Sequence, residues 1–279
     1  MRAISSHLSA VIKWSFLLVL AIVTLYPVLM TFLGSFKSNL ELTAGSTILP
    51  SDWRFENYVT AWKQANFAKF TWNSLYISSM TTILTLIVSS MAAYVVDRRN
   101  FIGKRFVVAL QASTMFISVG AIVMRPQFDL MIALGLNDSL WGLIIVLTSS
   151  HAGAFFILLG FLKAVPRDLD EAAYIDGSGF LSVYWRIVLP LLKPGLGVIA
   201  LFAFRGAWNE YVLPLVFTMN SPNLQPLTVG LAQLRYGYSA AEQTHLMMAG
   251  ACLSILPILV VYIFANKSFM QVTAGSVKG

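Results

Sequence analysis

Six apolar stretches, each close to the length that crosses a bilayer, constrain this 279-residue chain more than any other feature. A hydrocarbon core takes roughly 20 apolar residues in a helix. The stretches cover about 11–33, 74–96, 106–124, 140–162, 195–217 and 246–265. They are too long for barrel strands and do not alternate polar with apolar residues. The pattern therefore predicts an all-α polytopic membrane protein, a single domain over 1–279 built as a bundle of six transmembrane helices. Composition agrees: 57% of residues are hydrophobic and 11% charged, where soluble chains carry about 25% charge. That excludes a soluble enzyme, a disordered chain and a disulfide scaffold. Cys252 is the only cysteine, so neither an internal disulfide nor a cysteine metal cluster is available.

The first stretch is longer than the apolar core of a signal peptide, and no small-x-small cleavage site follows it. It reads as a retained anchor. Basic residues set the orientation, because they concentrate on the cytoplasmic side. Arg2, Lys13, Arg98, Arg99, Lys104, Arg105, Lys163, Arg167, Arg186, Lys193, Lys267 and Lys278 fall on one side of the six spans. Lys37, Arg54, Lys63, Lys69 and Arg235 fall on the other. Both termini are expected inside, with 163–194 an inner loop, 266–279 a cytoplasmic tail and 34–73 an outer loop. The outer loop carries Pro50, Trp53, Tyr58 and Trp62. It reads as an interfacial amphipathic helix near 55–67, as a docking surface for an outside partner, or as both. No internal repeat stands out.

The inner loop KAVPRDLDEAAYIDGSGFLSVYWRIVLPLLKPG, Lys163–Gly195, is more structured than a basic turn. Pro166 suits a helix start. Asp168 and Glu171 have the spacing of a capping box, and Asp168, Asp170 and Glu171 place negative charge at the positive end of the helix dipole. Gly177 and Gly179 end that helix. A second helix begins near Phe180, with Phe180, Val183, Tyr184, Ile187 and Leu191 forming an apolar stripe. Pro190 and Pro194 turn the chain back toward the fifth stretch. On physical grounds alone the loop reads equally as an amphipathic element lying on the inner leaflet and as a docking element.

Glu171-Ala172-Ala173, three residues, Gly177, nine residues, then Ile187-x-Leu189-Pro190 resembles the EAA motif of the permease subunits of bacterial ABC importers. All fixed positions are present at that family's spacing, in an inner loop between the fourth and fifth spans. WNEYVLPLVF at 208–217 and PLTVGL at 226–231 resemble segments of carbohydrate permeases. VTAGSVKG at 272–279 resembles the tail of the smaller permease in maltose-type importers. The resemblance implies a bacterial inner-membrane subunit that pairs with a second homologous permease. Two cytoplasmic ATPase subunits would bind ATP and Mg and dock on a coupling helix around Asp168, Glu171, Ala172, Ala173, Gly177, Ile187, Leu189 and Pro190. Thr273, Gly275 and Lys278 would touch the ATPase through the tail. An extracytoplasmic binding protein would deliver the carbohydrate. No cofactor, metal or nucleic acid is expected in or on this chain, whose only other environment is membrane lipid.

The residues lacking from the chain support a non-catalytic role. No G-x-x-x-x-G-K-[ST] occurs, so nothing cradles a nucleotide phosphate. His7, His151 and His245 lack paired ligand spacing. His151 reads as an interhelical hydrogen-bonding group. Charges at membrane depth face protein interiors or water, which singles out Arg205, Trp208, Asn209 and Glu210 as candidates for a sugar path. Arg205 and Glu210 lie about 140° apart on a helix and do not pair; Arg205 and Asn209 share a face. Arg205 departs from a position often apolar in the family. Arg125 and Asp129 are spaced to pair across one turn, and Pro27 and Pro257 are candidates for kinks. The alternative substrates are a polyol or glycerol phosphate, whose anionic group Arg205 would suit. An ion-coupled secondary transporter is the alternative from another class.

Overall fold

The computed structural model describes residues 2–45, 47–116, 120–236 and 243–276, with side chains over 11–45, 47–115, 122–234 and 243–263. Among the described residues the chain is helical throughout, without strands. In order the helices are α1 (Arg2–Gly34), α2 (Asn39–Ala44), α3 (Glu56–Gln64), α4 (Phe67–Arg98), α5 (Lys104–Phe116), α6 (Met124–Ala133), α7 (Leu140–Ser149), α8 (Ala152–Lys163) and α9 (Asp168–Ile175). They continue with α10 (Phe180–Leu191), α11 (Lys193–Asn209), α12 (Val212–Phe217), α13 (Leu227–Tyr236) and α14 (Thr244–Ser276).

Among the described residues three helices are long and apolar enough to cross a bilayer: Val11–Gly34, Phe67–Arg98 and Thr244–Ile263. The expected fourth span is instead a bent pair, α7 and α8, at 51°, and α10 and α11 form another at 78°. Counting each pair as one span gives up to five. The expected third span, 106–124, divides into α5, a 3-10 turn at Gly120–Val123 and α6.

The breaks have local causes. At the α7–α8 break, Thr148 Oγ1 donates to the Ile144 carbonyl at 2.8 Å and Ser149 Oγ to Val146 at 2.7 Å. Such back-bonding competes with the helix ladder and bends it. His151 then sits at the N-cap of α8. Between α11 and α12, Pro214 has no amide hydrogen, and its ring excludes the carbonyl four residues back, that of Glu210. Glu210 is accordingly extended, with φ −65° and ψ 134°. Pro27 and Pro257 lie inside α1 and α14.

The chain forms two compact units: residues up to Ala68 with Gly230–Leu256, and Lys69–Val229 with residues from Pro257 onward. In the first, the segment after α1 is fastened by its own loop. Asn57 donates to the carbonyls of Ser35 and Lys37 at 2.8 and 2.9 Å, and Ser35 Oγ lies 2.7 Å from the Tyr58 hydroxyl. Phe36 is ringed by Trp53, Phe55 and Tyr58 at centroid distances of 5.1, 5.1 and 5.2 Å. The amphipathic helix expected near 55–67 is α3. In the second unit, Phe155, Leu158, Leu162, Val183, Tyr184, Val188, Leu192 and Ile199 form one core. Buried Gly195 lets α11 approach α8: a Cβ there would meet the Phe161 ring at 2.8 Å.

Glu41 organises the segment between α1 and α3. Its Oε1 accepts the Thr47 hydroxyl and the Ser51 amide, both at 2.9 Å. The Ser51 backbone hydrogen bond is the main cause that holds the Glu41 carboxyl below its ordinary range. A carboxyl whose pKa is lowered on folding stabilises the fold above its ordinary pKa, and the contribution is lost as pH falls through the lowered value. Limited proteolysis between Ser38 and Ser51 should therefore accelerate severalfold as pH falls from 7 to 3. In Glu41→Ala the cleavage should be fast at both pH values.

Candidate functional site

The segment 163–195 folds as two short helices around a tight turn. Helix α9 begins at Asp168, with Arg167 at the N-cap and no side chain capping it, so the capping box expected between Asp168 and Glu171 does not form. Asp168, Asp170 and Glu171 do occupy its first turn, where negative charge complements the dipole. The helix ends at Gly177, with φ +81°. Ser178 donates to the Ala173 carbonyl at 2.9 Å and Gly177 to that of Tyr174 at 3.0 Å. This is the paired closure of a Schellman turn, in which glycine takes the left-handed position.

Helix α10 starts at Phe180 as expected, but Tyr184–Val188 is wound as a π-helix. The extra residue per turn shifts the buried face. Val183, Tyr184, Val188 and Leu192 are buried, while Leu191 is exposed. Ile187 and Leu189 pack half-buried against the same core, and Pro190 is exposed.

The end of α4 grips both short helices. Arg98 Nε lies 2.6 Å from Asp170 Oδ2, and Arg98 Nη1 lies 2.7 Å from Asp97 Oδ2. Arg98 Nη2 donates to the Val165 carbonyl at 3.0 Å, and Arg167 Nη2 to the Asp97 carbonyl at 3.0 Å. The side chains of Arg98, Asp170 and Asp97 are only 5%, 6% and 9% exposed. One turn earlier, Tyr94 stacks on Phe180 at 4.5 Å, Ser90 Oγ lies 2.7 Å from the Tyr184 hydroxyl, and Arg99 sits over the Phe180 ring at 4.5 Å. Ala173 is buried in this joint. Asp168, Glu171 and Ala172 face outward, in company with Leu169 and Ile175. The motif thus divides into an inward half that fixes the loop and an outward half that is free to be touched.

The candidates in the fifth stretch also separate. Trp208 is buried and stacks on Phe204. Arg205 and Asn209 are exposed, and Asn209 Nδ2 donates to the Arg205 carbonyl at 3.0 Å. Glu210 alone of the four lines a cavity of about 420 Å³ between α4, α8 and α11. Its Oε1 accepts the Leu213 amide at 3.3 Å and so holds the start of α12. Its carbonyl accepts the Thr228 hydroxyl at 2.8 Å, and Ser74 Oγ accepts the Leu227 amide at 2.8 Å. Asn73 donates to the carbonyls of Asn223 and Gln225 at 3.0 and 2.9 Å. These bonds fix residues 223–228, the start of the PLTVGL segment included, to α4 and, through Thr228, to the break at Glu210.

Elsewhere, His151 Nε2 lies 3.2 Å from Gln111 Nε2, a contact between helices as expected. Arg125 Nε reaches both oxygens of Asp129 at 2.9 Å on an exposed face. Thr273 and Gly275 lie on the backbone of α14, and Lys278 lies outside the described residues. Among the described residues no cluster of His, Cys, Asp and Glu suits a metal. Sequence reasoning missed the joint formed by Asp97, Arg98 and Asp170, and the hydroxyls of Thr81 and Thr85. The recurrence of Ser74, Ser78, Thr81, Thr85 and Ser89 at helical spacing was the available signal for the second.

Comparison with known proteins bears on this arrangement. Residues 85–268 match the model of the binding-protein-dependent transport system inner membrane component. The chain belongs to this family. The matched range of this permease runs from the middle of α4 through α9 and α10 into α14. Similar proteins include the diacetylchitobiose uptake system permease NgcG of Streptomyces coelicolor, 30% identical over 98% of this chain and 91% of that one. The maltodextrin permease MdxG of Bacillus subtilis is 30% identical over 98% and 97%. The trehalose permease SugB of Mycobacterium tuberculosis is 33% identical over 91% and 93%. Among solved structures, a chain of a bacterial ABC transporter that imports the acidic polysaccharide alginate superposes with a TM-score of 0.81, at 25% identity over 95% of this permease and 98% of that chain. A chain of the methionine transporter MetNI gives 0.55 at 17% identity over 74% and 95%, a likeness of fold alone. The permease is therefore a multi-pass inner-membrane protein of a binding-protein-dependent transport system.

The Gly177 turn gives a local test. No atom lies within 4 Å of an added Cβ, so a larger residue meets backbone strain and no clash. The left-handed conformation costs a non-glycine residue about 1–2 kcal/mol. Gly177→Leu should raise hydrogen exchange at the amides of Gly177 and Ser178 roughly tenfold, and leave those of α8 and α11 unchanged.

Proposed function

We propose that this permease forms one half of the translocation path of an ATP-driven carbohydrate importer and receives the ATPase stroke through the EAA loop. The observation that carries the reading is the division of that loop. Its inward half is bolted to α4 by Arg98, and its outward half presents Leu169, Glu171, Ala172 and Ile175, the last 86% exposed. A small residue between two apolar ones allows close approach of another protein's surface, and Glu171 supplies a charge to pair. The sugar relatives, which span nearly the whole chain, support the carbohydrate reading.

In this account the chain has six spans, with 106–124 crossing as a broken third span, and both termini lie inside. A second homologous permease completes the path. Two ATPase subunits hold ATP and Mg and seat the outward face of α9. Thr273, Gly275 and Lys278 reach the ATPase dimer. A loaded binding protein docks outside, on the surface that includes α3. ATP and the loaded binding protein each favour the outward-facing state, and their differential affinity for the two states drives the change. Because Arg98 and Tyr94 fix α9 and α10 to α4, closure of the ATPase dimer moves that span with the loop. Glu210 lines the path directly; Trp208 and Asn209 support the helix end that places it. Arg205, which would suit an anionic solute, lies outside the cavity wall, so the sugar reading is kept over glycerol phosphate.

Mild-detergent isolation of the tagged chain from its native membrane should recover a second permease and an ATPase. Glu171→Lys should reduce ATPase recovery by about tenfold while the second permease remains. Recovery of the wild-type chain alone, under conditions that preserve a known complex, would contradict the importer. Full ATPase recovery with Glu171→Lys would contradict the role of the outward face.

A further inference from the structure

The cavity beside Glu210 has a second property that the family match does not explain. Its wall combines Thr81 and Thr85 from α4, Ser150 at the α7–α8 break, Phe202 from α11, and Glu210. At about 420 Å³ it falls in the size range of small-molecule clefts. Thr81 is 96% buried, being 4% exposed, and its hydroxyl has no hydrogen-bond partner. Buried hydroxyls are normally bonded, and each exception asks for a missing partner. In α4 the neighbouring Thr82 does bond back, to the Ser78 carbonyl at 2.6 Å; Thr81 forgoes that bond.

We propose that this cavity is a subsite for an uncharged sugar residue within this one subunit, with Thr81, Thr85, Ser150 and Glu210 as its hydrogen-bonding groups. Each feature meets a chemical need. Thr81 and Thr85 are four apart on α4, and both residues belong to the cavity wall. The Glu210 carboxylate accepts from sugar hydroxyls, and bonds to a charged acceptor are about twice as strong as neutral ones. Phe202 is 52% exposed and offers an apolar face for ring C–H groups. The wall carries no basic residue, so an anionic solute would meet Glu210 with no compensating cation, and like charges at close range repel strongly where water is excluded. The Pro214-imposed break is what frees Glu210 to serve here. An unbroken helix would keep its carbonyl in the ladder and carry its side chain on a regular helical face. The subsite rests on the importer reading, and deepens it by naming the substrate as uncharged and polyhydroxylated.

The test uses the complete complex with its partner permease, ATPase and binding protein in nanodiscs, arrested with ATP and vanadate. Radiolabelled trehalose, maltose and N,N′-diacetylchitobiose serve as probes, and the sugar retained per complex is counted. Two variants keep the local structure. Thr81→Val is nearly isosteric and removes a hydroxyl that lacks a partner, so a purely structural role predicts no loss and, if anything, added stability. Glu210→Gln keeps the oxygen that accepts the Leu213 amide. Each should retain about tenfold less of the sugar that the wild type holds, the effect of losing about 1.4 kcal/mol. Ser89→Ala is the control. That hydroxyl is also buried and unpartnered on α4 but does not line the cavity, and retention should match wild type. Wild-type retention in both Thr81→Val and Glu210→Gln, with the complex still trapping vanadate, overturns the subsite and leaves the importer standing. If the wild type traps vanadate with its binding protein but holds none of the sugars, the subsite and the carbohydrate reading both fall. Should Glu210→Gln fail to assemble, Thr81→Val with Ser150→Ala decides by the same count.

Discussion

A buried guanidinium holds the working parts of this permease together. Arg98 closes the last turn of the long helix α4, and it meets Asp97, Asp170 and the Val165 carbonyl at once. Burying a charge is costly, and only close pairing with several groups compensates it. Removal of one partner leaves the others charged and dry, a penalty of about 3–5 kcal/mol in comparable sites. The arrangement therefore has little tolerance for slack. Where Arg98 goes, Asp170 and the start of α9 go too. The aromatic joint of Tyr94, Phe180 and Tyr184 secures the second short helix in the same way. A docking loop connected only by flexible chain would absorb a push. On the proposed reading, the Arg98 joint would pass it on.

The other theme is the interrupted helix. Backbone polar groups freed inside a membrane must find partners in the protein, and here they do so with side chains that then define the site. At the α7–α8 break, Thr148 and Ser149 turn back on their own helix and His151 reaches Gln111. At the α11–α12 break, Glu210 holds the Leu213 amide and its carbonyl holds Thr228. Both breaks border the same cavity, through Ser150 and Glu210. The irregular backbone and the polar lining adjoin: Ser150 and Glu210, which line the cavity, sit directly at the two breaks.

Much of this was legible from the residues. Helix α3, the two short helices of 163–195, the Gly177 turn and the Arg125–Asp129 pair all follow from local chemistry, and local chemistry is what a sequence displays. Residues 11–33, 74–96 and 246–265 declared themselves by length and hydropathy. Asp168 and Glu171 had the spacing of a capping box, but the chain enters α9 through a helical Arg167, whose side chain provides no cap. Leu191 continued the apolar stripe on paper, and the π-turn at Tyr184–Val188 rotated it outward. Neither Arg98 nor Asp170 announced a partner, because they lie far apart in the chain and only the packed fold brings them together. Trp208 looked like a sugar platform from its neighbours, and the structure buries it against Phe204. Charge and aromaticity can mark a segment as functional, but which member faces the cavity depends on where a proline breaks the helix.

In the proposed mechanism, α9 and the end of α4 move as one body. The direct measurement is a spin-label distance between Ile175→Cys, which is 86% exposed, and Val95→Cys, which is 38% exposed, in the assembled complex with Cys252 replaced. It is made in the nucleotide-free state and again with ATP and vanadate. The account predicts a single narrow distance that is the same in both states and broadens when Arg98 is replaced by methionine. A distance that changes between the two states in the wild-type complex would show the loop moving against the span, and would contradict it.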